Sequence, residues 1–384
     1  MNSQDTIQPE VGRIQERAFM FGGIGLALCV VFGPRNADQF FRSYLFAYIF
    51  WLAIPLGCTS ILMLHHLTGG WWGYPIRRLL EAGTRTFSLM AILFIPVWLG
   101  MSSIYPWMHG TDKAWFLNPG FFTLRAVIYF AIWLSLSFFL NKWSSDQDRT
   151  ADPRLADRLE AMSAPGLILW GLAVTFSAID WVMSLEPNWF STMYGMIFMM
   201  VETLTAMAFV ILVLRKLSGH EPIKEAVTPS QFNDLGNLML AFVMLWAYLS
   251  FSQFLIIWAG NIKGEIPWYM SRAFGKWGTI AAVLIVLHFA LPFLLLLQRG
   301  VKRRLRVLST VAGMLILLSI VDVFWLVVPA FERAGPRVHP MDIFALIGIG
   351  GIWVGTFAWQ LKKWPLLPQH DPRFEGALEH EHGD

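Results

Sequence analysis

Ten apolar segments dominate this sequence and restrict its fold more than any other feature. They lie near residues 18–32, 43–66, 86–106, 120–140, 165–186, 190–214, 234–258, 277–298, 305–329 and 342–361. Most reach the ~20 residues that a helix needs to cross the hydrocarbon core of a bilayer. Only 14% of the 384 residues are charged, whereas soluble domains carry about 25%. The sequence therefore predicts an all-α polytopic membrane protein with about ten transmembrane helices.

The basic residues predict how these helices are oriented. With ten spans, both termini share a side with the loops near 67–85, 141–164, 215–233 and 299–304, and most of the 29 lysines and arginines fall on that side. The segment from Arg299 to Arg306 is the strongest signal. Because basic loops stay in the cytoplasm, we expect both termini to be cytoplasmic. The net charge of +3 gives no reason to expect a nucleic-acid partner.

A repeated frame indicates an internal duplication. The fifth span contains Ser177-Ala-Ile-Asp180 with Pro187 seven residues later, and the ninth contains Ser319-Ile-Val-Asp322 with Pro329 at the same spacing. A four-helix unit repeated in parallel orientation produces this pattern. It predicts two four-helix bundles with a flanking helix on each side. The predicted units are 1–42 (first flanking helix), 43–189 (first bundle), 190–330 (second bundle) and 331–384 (last flanking helix and cytoplasmic tail).

Ionisable residues inside the spans are the first candidates for function. A carboxylate such as Asp180 or Asp322 costs about 2.5–3.5 kcal/mol within the bilayer, so such groups usually face the protein interior and often mark a proton or ion route. Glu202 and His288 are expected near the middle of the membrane, and Arg125 in the outer part of the fourth span. These five residues together predict a proton path. In the alternative interpretation, Asp180 only pairs with Arg125, and Glu202 is a protonated, hydrogen-bonded acid.

The cysteines and histidines give no sign of a redox centre. Cys29 and Cys58 lie in apolar segments, and there is no CxxCH motif for covalent haem and no cysteine cluster for iron–sulfur. His65 and His66 are expected at the inner edge of the membrane and His288 at its middle, which does not suit bis-histidine ligation of haem b. We therefore expect no metal site and no covalently bound cofactor.

The most specific string is His65-His-Leu-Thr-Gly-Gly-Trp-Trp-Gly73, followed by Arg77-Arg-Leu-Leu-Glu81 and Arg85. Its paired glycines permit a tight turn at the inner face, where the backbone can closely approach a neighbour or a ligand. The arginines at this level of the membrane are expected to lie beside lipid phosphates.

At this string the chain resembles the polysulfide-reductase-like (NrfD-like) family of integral membrane subunits. The resemblance is carried by His66-Leu-Thr-Gly-Gly-x-Trp-Gly73 with Arg78 and Glu81, and it is closest to the two large membrane subunits of bacterial alternative complex III. Ser177-Ala-Ile-Asp-Trp-Val-Met-Ser-Leu-Glu-Pro-x-Trp189 is similar to the F-type subunit rather than the C-type. The similarity extends over essentially all ten spans.

The resemblance implies a place in a quinol:electron-acceptor oxidoreductase of the bacterial cytoplasmic membrane. The implied partners are a paralogous C-type membrane subunit that holds the quinol site, an iron–sulfur subunit and cytochrome c subunits. An F-type subunit is then a redox-inactive scaffold with a proton half-channel, onto which Asp180, Glu202, His288 and Asp322 map by residue type. A quinone site (menaquinone or ubiquinone) stays open near His65, His66 and Arg85, and lipid is the remaining expected ligand.

Two alternative functions stay open beside this expectation. In one, the chain itself binds and oxidises quinol between its bundles and passes electrons to an iron–sulfur partner. In the other, it is an autonomous proton-coupled transporter that uses the buried acids as coupling sites. Co-purification with multihaem cytochromes would exclude the transporter.

Overall fold

The computed structural model describes residues 8–371, and within that range the chain contains helices but no strand. Ten helices are long and apolar enough to cross a membrane. They are α1 (Gln8–Arg35), α2 (Ala37–Thr68), α3 (Arg77–Leu99), α4 (Pro119–Thr150), α5 (Arg154–Leu185), α6 (Tyr194–Leu217), α7 (Pro229–Gly260), α8 (Gly275–Leu297), α9 (Leu305–Ala330) and α10 (Pro340–Lys362). The prediction of an all-α, multi-pass membrane protein is confirmed. The ends of the first and last predicted units, residues 1–7 and 372–384, lie outside the described range.

Polar residues and prolines at the helix starts explain several of these boundaries. Asn118 accepts a 2.9 Å hydrogen bond from the backbone N–H of Phe121, and Pro119 occupies the first turn of α4. Thr228 and Gln231 form a reciprocal capping box at the start of α7. Such caps satisfy N–H groups that have no partner inside the helix. They fix where α4 and α7 begin.

The helices α4 and α5 are longer than their apolar segments. The hydrophilic connection predicted near 141–164 continues both helices and leaves only a short turn between Thr150 and Arg154. Ala151 closes α4 in the left-handed conformation at φ 53°. The reason is that Ser144 and Gln147 on α4 are buried against α3, so the polar extension has neighbours to pack on.

Contacts between helices divide most of the chain into two groups around α2. Helices α2 to α5 contact one another as α2–α3, α3–α4, α4–α5 and α2–α5, while α6 to α9 contact as α6–α7, α7–α8, α8–α9 and α6–α9. The groups are joined mainly where α6 contacts α2 and α5. This pattern is the one expected of two four-helix bundles, and the predicted boundaries between units stay a prediction. In the most apolar stretch of α2, 94% of the residues are buried, whereas the figure for α8 is 22%. Helix α2 therefore forms the centre of the molecule.

The flanking helices α1 and α10 pack through glycines. A Cβ added at Gly22 would lie 2.5 Å from the backbone nitrogen of Ile352, and one added at Gly25 would lie 2.6 Å from that of Gly348. Such contacts require glycine on both helices, as in the small-residue interfaces of membrane proteins. This packing explains why the first apolar segment is rich in glycine.

Both ends of the helix assembly can be named from these contacts. The terminal face is the end where α1 begins and α6 and α10 end; there Lys216 binds Glu10 at 2.8 Å. The opposite face is the end where α5 and α9 finish and α6 and α10 begin. The predicted cytoplasmic location of the terminal face stays a prediction.

Candidate functional site

Asp180 lies in a complete ion pair near the opposite face. Arg125 donates to both carboxylate oxygens, from Nε at 2.7 Å and from Nη2 at 2.9 Å, and the hydroxyl of Tyr129 donates to Oδ2 at 2.6 Å. The guanidinium also lies 3.9 Å from the centre of the Phe116 ring. Asp180 is fully buried, so the bidentate pair compensates for its loss of water. The geometry favours the structural interpretation of these two residues.

Asp322 and His288 are connected through an indole ring. Trp246 on α7 donates from Nε1 to Asp322 at 2.9 Å, and its ring centre lies 4.6 Å from that of His288. Both ionisable side chains are buried. Within the described range, neither ring nitrogen of His288 has a hydrogen-bond partner. The second bundle thus contains an acid and an imidazole separated by one aromatic side chain.

His288 also lies in an irregular part of its helix. Residues Leu284–Ala290 form a π-helical turn inside α8. Pro292 follows four residues after His288 and has no N–H to donate to the carbonyl of His288. Turns of this kind are common at functional sites, and here the turn contains the histidine that packs against Trp246.

Glu202 lies where the two bundles meet. Its helix approaches α2 so closely that a Cβ added at Gly57 would lie 2.1 Å from the backbone oxygen of Glu202. The side chain is 5% exposed, and no described residue forms a hydrogen bond with its Oε2. Directly beside it, Thr203 on α6 and Ser60 on α2 share a 3.0 Å hydrogen bond. Glu202 is therefore a buried acid with an unused oxygen next to a polar helix contact.

A small cavity adjoins Glu202 at this junction. Its volume is about 10 Å³. Its wall includes Ser177 and Trp181 from α5 and Glu202 from α6, and the other residues that line it are apolar. The cavity lies between the fifth and sixth spans, at the depth in the membrane predicted for the proton path.

The inner-side candidates His65, His66 and Arg85 are engaged by their neighbours. The ring centre of His65 lies 5.1 Å from that of Trp72, and a Cβ at Gly73 would meet His65 Nδ1 at 2.1 Å. His66 is 2% exposed. Arg85 lies 4.2 Å from the centre of the Trp364 ring and 3.8 Å from Glu81. These contacts place all three near the terminal face, and the quinone site stays a prediction.

The expectation that the neighbouring arginines lie beside lipid phosphates is wrong. Arg77 and Arg78 are 1% and 2% exposed and both bind the fully buried Glu81, at 3.1 Å and 2.5 Å. Arg77 also pairs with Asp371, and Arg78 pairs with Asp148. An unpaired buried charge is strongly destabilising. The two buried arginines therefore depend on the carboxylates of Glu81, Asp148 and Asp371 as partners.

This cluster fixes the chain after α10 to the terminal face. Besides the Arg77–Asp371 pair, the backbone N–H of Gln369 donates to Asp148 at 2.9 Å, and His370 Nδ1 lies 3.1 Å from the Asp148 backbone oxygen. Sequence reasoning did not identify Asp148 or Asp371 as partners of these arginines. Neither residue lies in a motif, and 294 positions separate Arg77 from Asp371.

A second group of interacting side chains, which the sequence analysis did not identify, lies on the opposite face. Arg272, on the short helix Ile266–Ala273, binds Glu186 at 2.7 Å and lies 4.2 Å from the centre of the Trp268 ring. Burial lowers the pKa of Arg272, and the nearby Glu186 carboxylate opposes that shift. The Trp268 ring stacks on Trp189 at 4.6 Å. These contacts join the end of α5 to the second bundle.

A polar cavity opens on the same face between the start of α2, the end of α9 and the start of α10. Its volume is about 350 Å³. Asp342 in its wall is 5% exposed and accepts hydrogen bonds from Ser43 at 2.5 Å and from the backbone of His339 at 2.8 Å. Polar side chains that water can reach therefore line a cavity on the opposite face. Three separate chain segments form this cavity, so no single sequence motif predicts it.

The predicted path is divided into separate groups rather than joined in one chain. Arg125 and Asp180 are paired, and Asp322 and His288 share Trp246. No hydrogen bond links Glu202 to His288 within residues 8–371. Among these residues there is also no group of three or more histidine, cysteine or acidic side chains arranged to hold a metal ion.

Comparison with known proteins adds no assignment, since no family model and no curated protein matches the chain. The site must therefore be interpreted from its own geometry.

Proposed function

We propose that this chain is a redox-inactive membrane subunit of a bacterial quinol:electron-acceptor oxidoreductase of the alternative complex III type, and that it conducts protons through a half-channel centred on Glu202. The orientation it requires puts the terminal face in the cytoplasm. The partners it requires are a C-type membrane subunit, an iron–sulfur subunit and cytochromes c.

One observation carries the proton-conducting part of this proposal. Glu202 is a buried acid at the junction of the two bundles, with a carboxyl oxygen that no described residue engages and a cavity beside it. Intramembrane acids with these properties are expected to be functional. Asp180, in contrast, has both oxygens engaged by Arg125, and we assign it to holding α4 against α5.

Polar contacts support a route from Glu202 toward the terminal face. Ser60 and Thr203 meet at 3.0 Å one residue from Glu202, and His65 and His66 follow on α2 within two further turns. Hydroxyl and imidazole groups both donate and accept protons. The Asp322–Trp246–His288 group forms a separate branch in the second bundle.

The role in the complex is supported by the residue resemblance at His66–Gly73 and Ser177–Trp189. Its test is purification from native membranes without dissociation, followed by identification of the companion subunits. An iron–sulfur subunit and multihaem cytochromes are the expected companions. A polypeptide that purifies alone and shows substrate-coupled proton flux would instead be the transporter of the alternative hypothesis.

The proton role is tested in the assembled complex with Glu202→Gln, which keeps the shape of the side chain but removes its proton exchange. Proton movement linked to quinol oxidation should fall by about 10²-fold, the lower range for loss of a working acid–base group. Glu225→Gln is the control, because Glu225 is an exposed glutamate. Unchanged proton movement in Glu202→Gln would exclude the half-channel.

The quinol-oxidising alternative needs a different measurement. A photoreactive quinone should label the C-type subunit if this chain is only a scaffold. Labelling of this chain near His65, His66 or Arg85 would instead favour a quinone site of its own.

A further inference from the structure

Two arginines in the wall of the polar cavity on the opposite face have no carboxylate partner. Arg42 and Arg337 both line this cavity, whose volume is about 350 Å³. None of the ion pairs within residues 8–371 involves either of them. The guanidinium of Arg42 lies 5.1 Å from the centre of the Phe331 ring, which belongs to the same wall, and its Nε donates to the backbone oxygen of Ser103 at 3.4 Å. The terminal Nη groups of Arg42 are therefore free to bind a ligand.

His339 adds a third donor to this wall. Its Nδ1 accepts a hydrogen bond from the backbone N–H of Met341 at 3.2 Å, so the ring proton lies on Nε2. His339 lines the cavity together with the two arginines. The planar fork of N–H groups on an arginine matches the oxygens of a phosphate. Two arginines and an imidazole donor in one wall thus favour a phosphate group.

The same cavity also contains acids, which oppose a simple anion. Asp38 and Glu332 line it, and neither takes part in an ion pair within the described range. Asp342 already accepts hydrogen bonds from Ser43 and from the backbone of His339, and Glu332 lies close enough for the two charges to interact. A purely anionic ligand would meet these carboxylates, and a purely cationic one would meet the arginines. A zwitterion that carries a phosphate and an ammonium group satisfies both sets.

The position of the cavity identifies the source of such a ligand. Helix α2 begins beside it, and its 32 residues give a length of about 48 Å at 1.5 Å per residue. This exceeds the ~30 Å of the hydrocarbon core, so the end of α2 reaches the headgroup layer. On α10, Ile343 directly follows Asp342 and Ile347 lies one turn further, and these isoleucines are 49% and 46% exposed. They offer an apolar surface to an acyl chain next to the polar cavity.

We propose that this cavity binds the headgroup of a zwitterionic phospholipid that has a primary amine, the phosphoethanolamine class. Arg42 and Arg337 bind its phosphate, and Asp38 and Glu332 accept hydrogen bonds from its ammonium group. A trimethylammonium group has no N–H to donate and is typically bound by an aromatic cage. Phe331 is the one aromatic side chain among the described residues of the wall, and Arg42 already lies over its ring.

The cavity has a size that suits this role, since ligand pockets start at about 300 Å³. The bound lipid joins the ends of α2, α9 and α10 at the opposite face, where these three helices supply the wall. The site does not depend on the proposed half-channel.

The experiment is native mass spectrometry of the full-length chain, titrated with dioleoyl lipids that carry phosphoethanolamine, phosphoglycerol or phosphocholine. One equivalent of the phosphoethanolamine lipid should bind about 5-fold more tightly than either of the others, the range of a partly exposed ion pair. Arg42→Gln should weaken binding of the phosphoethanolamine and phosphoglycerol lipids alike, by about 10-fold, because both lose a charge-assisted bond to phosphate. Glu332→Gln should weaken only the phosphoethanolamine lipid and so remove its preference over phosphoglycerol.

Arg35→Gln is the matched control for these variants. Arg35 is an exposed arginine just before α2 on the same face, but it does not line the cavity. Equal binding of the three lipids, or equal losses in Arg42→Gln and Arg35→Gln, would overturn the site. Should Arg42→Gln fail to fold, Arg337→Gln at an exposed position provides the second variant, with the same loss expected and unchanged binding again excluding the site.

A competition arm separates the lipid from a soluble ligand of the same chemistry. Free phosphoethanolamine should displace the lipid only weakly, because it lacks the acyl chains. Displacement at equal affinity would assign the cavity to a soluble zwitterion and overturn the lipid site. Proton movement in Glu202→Gln judges the half-channel, so the two proposals can fail separately.

Discussion

Trp246 donates a 2.9 Å hydrogen bond from Nε1 to the carboxylate of Asp322. The donor and acceptor lie on α7 and α9, so one polar contact connects helices on different sides of the second bundle. The same indole ring packs against His288. A change in its position would therefore alter the surroundings of two ionisable groups at once.

Removing this donor should destabilise the second bundle. Trp246→Phe keeps a ring against His288 but leaves Asp322 without its bond, and a buried acceptor without a partner costs about 1–3 kcal/mol. The free energy of unfolding in mixed micelles measures the effect. Trp258→Phe is the control, since Trp258 is 69% exposed and should change stability little; equal losses in both variants would contradict this role of Trp246.

The pair between Arg125 and Asp180 should show strong coupling. Arg125→Met leaves a buried carboxylate with only Tyr129 as donor, and breaking a buried ion pair in this way costs about 3–5 kcal/mol. The double variant Arg125→Met/Asp180→Asn should recover part of that loss because it removes the isolated charge. Unfolding free energies of the two single variants and the double variant give the coupling directly. Additive losses would contradict the pairing.

The pair between Arg77 and Asp371 should hold the end of the described chain in place. Asp371→Ala removes one charged partner of Arg77, and the expected loss is about 1.5–3 kcal/mol, because Glu81 still binds the guanidinium. Hydrogen exchange of residues 363–371 should become faster. Asp112→Ala, at an exposed position, is the control, and unchanged exchange in Asp371→Ala would show that other contacts hold this segment.

Packing of α1 on α10 should depend on Gly351. A Cβ at this position would lie 2.4 Å from the backbone nitrogen of Gly22, whereas one at Gly23 meets nothing within 4 Å. Gly351→Ala is thus expected to cost about 1–3 kcal/mol through overpacking, and Gly23→Ala to be neutral or slightly favourable. Disulfide crosslinking between cysteines introduced into α1 and α10 measures whether the helices separate. Equal crosslinking in both variants would show that the interface tolerates the added methyl group.

Hydropathy was sufficient to predict the ten helices, because each apolar segment must satisfy its backbone internally wherever it meets lipid. The sequence also supplied the pairing of Asp180 with Arg125, as one of two interpretations. It could not supply the partners of Arg77 and Arg78. Charged side chains at a span end can face lipid headgroups or the protein interior, and only the fold, which brings Asp148 and Asp371 to them, decides between these environments.

The candidate path shows the same limit. Residue type and depth indicated Glu202 and His288, but depth alone does not state which helices are neighbours. Only the fold shows that Glu202 lies where α6 packs on α2, with a carboxyl oxygen that no described residue engages.

The central position of α2 has a consequence for biosynthesis. Trp51 on this helix donates to the backbone oxygen of Leu346 at 2.8 Å and lies against Trp353, both on α10. The ribosome makes α10 after the other nine spans, so one side of α2 stays uncovered in the nascent chain until translation of α10 is complete. Polypeptides released before Pro340 would expose that side to lipid or to quality-control proteases, and late truncations should therefore be cleared from the membrane.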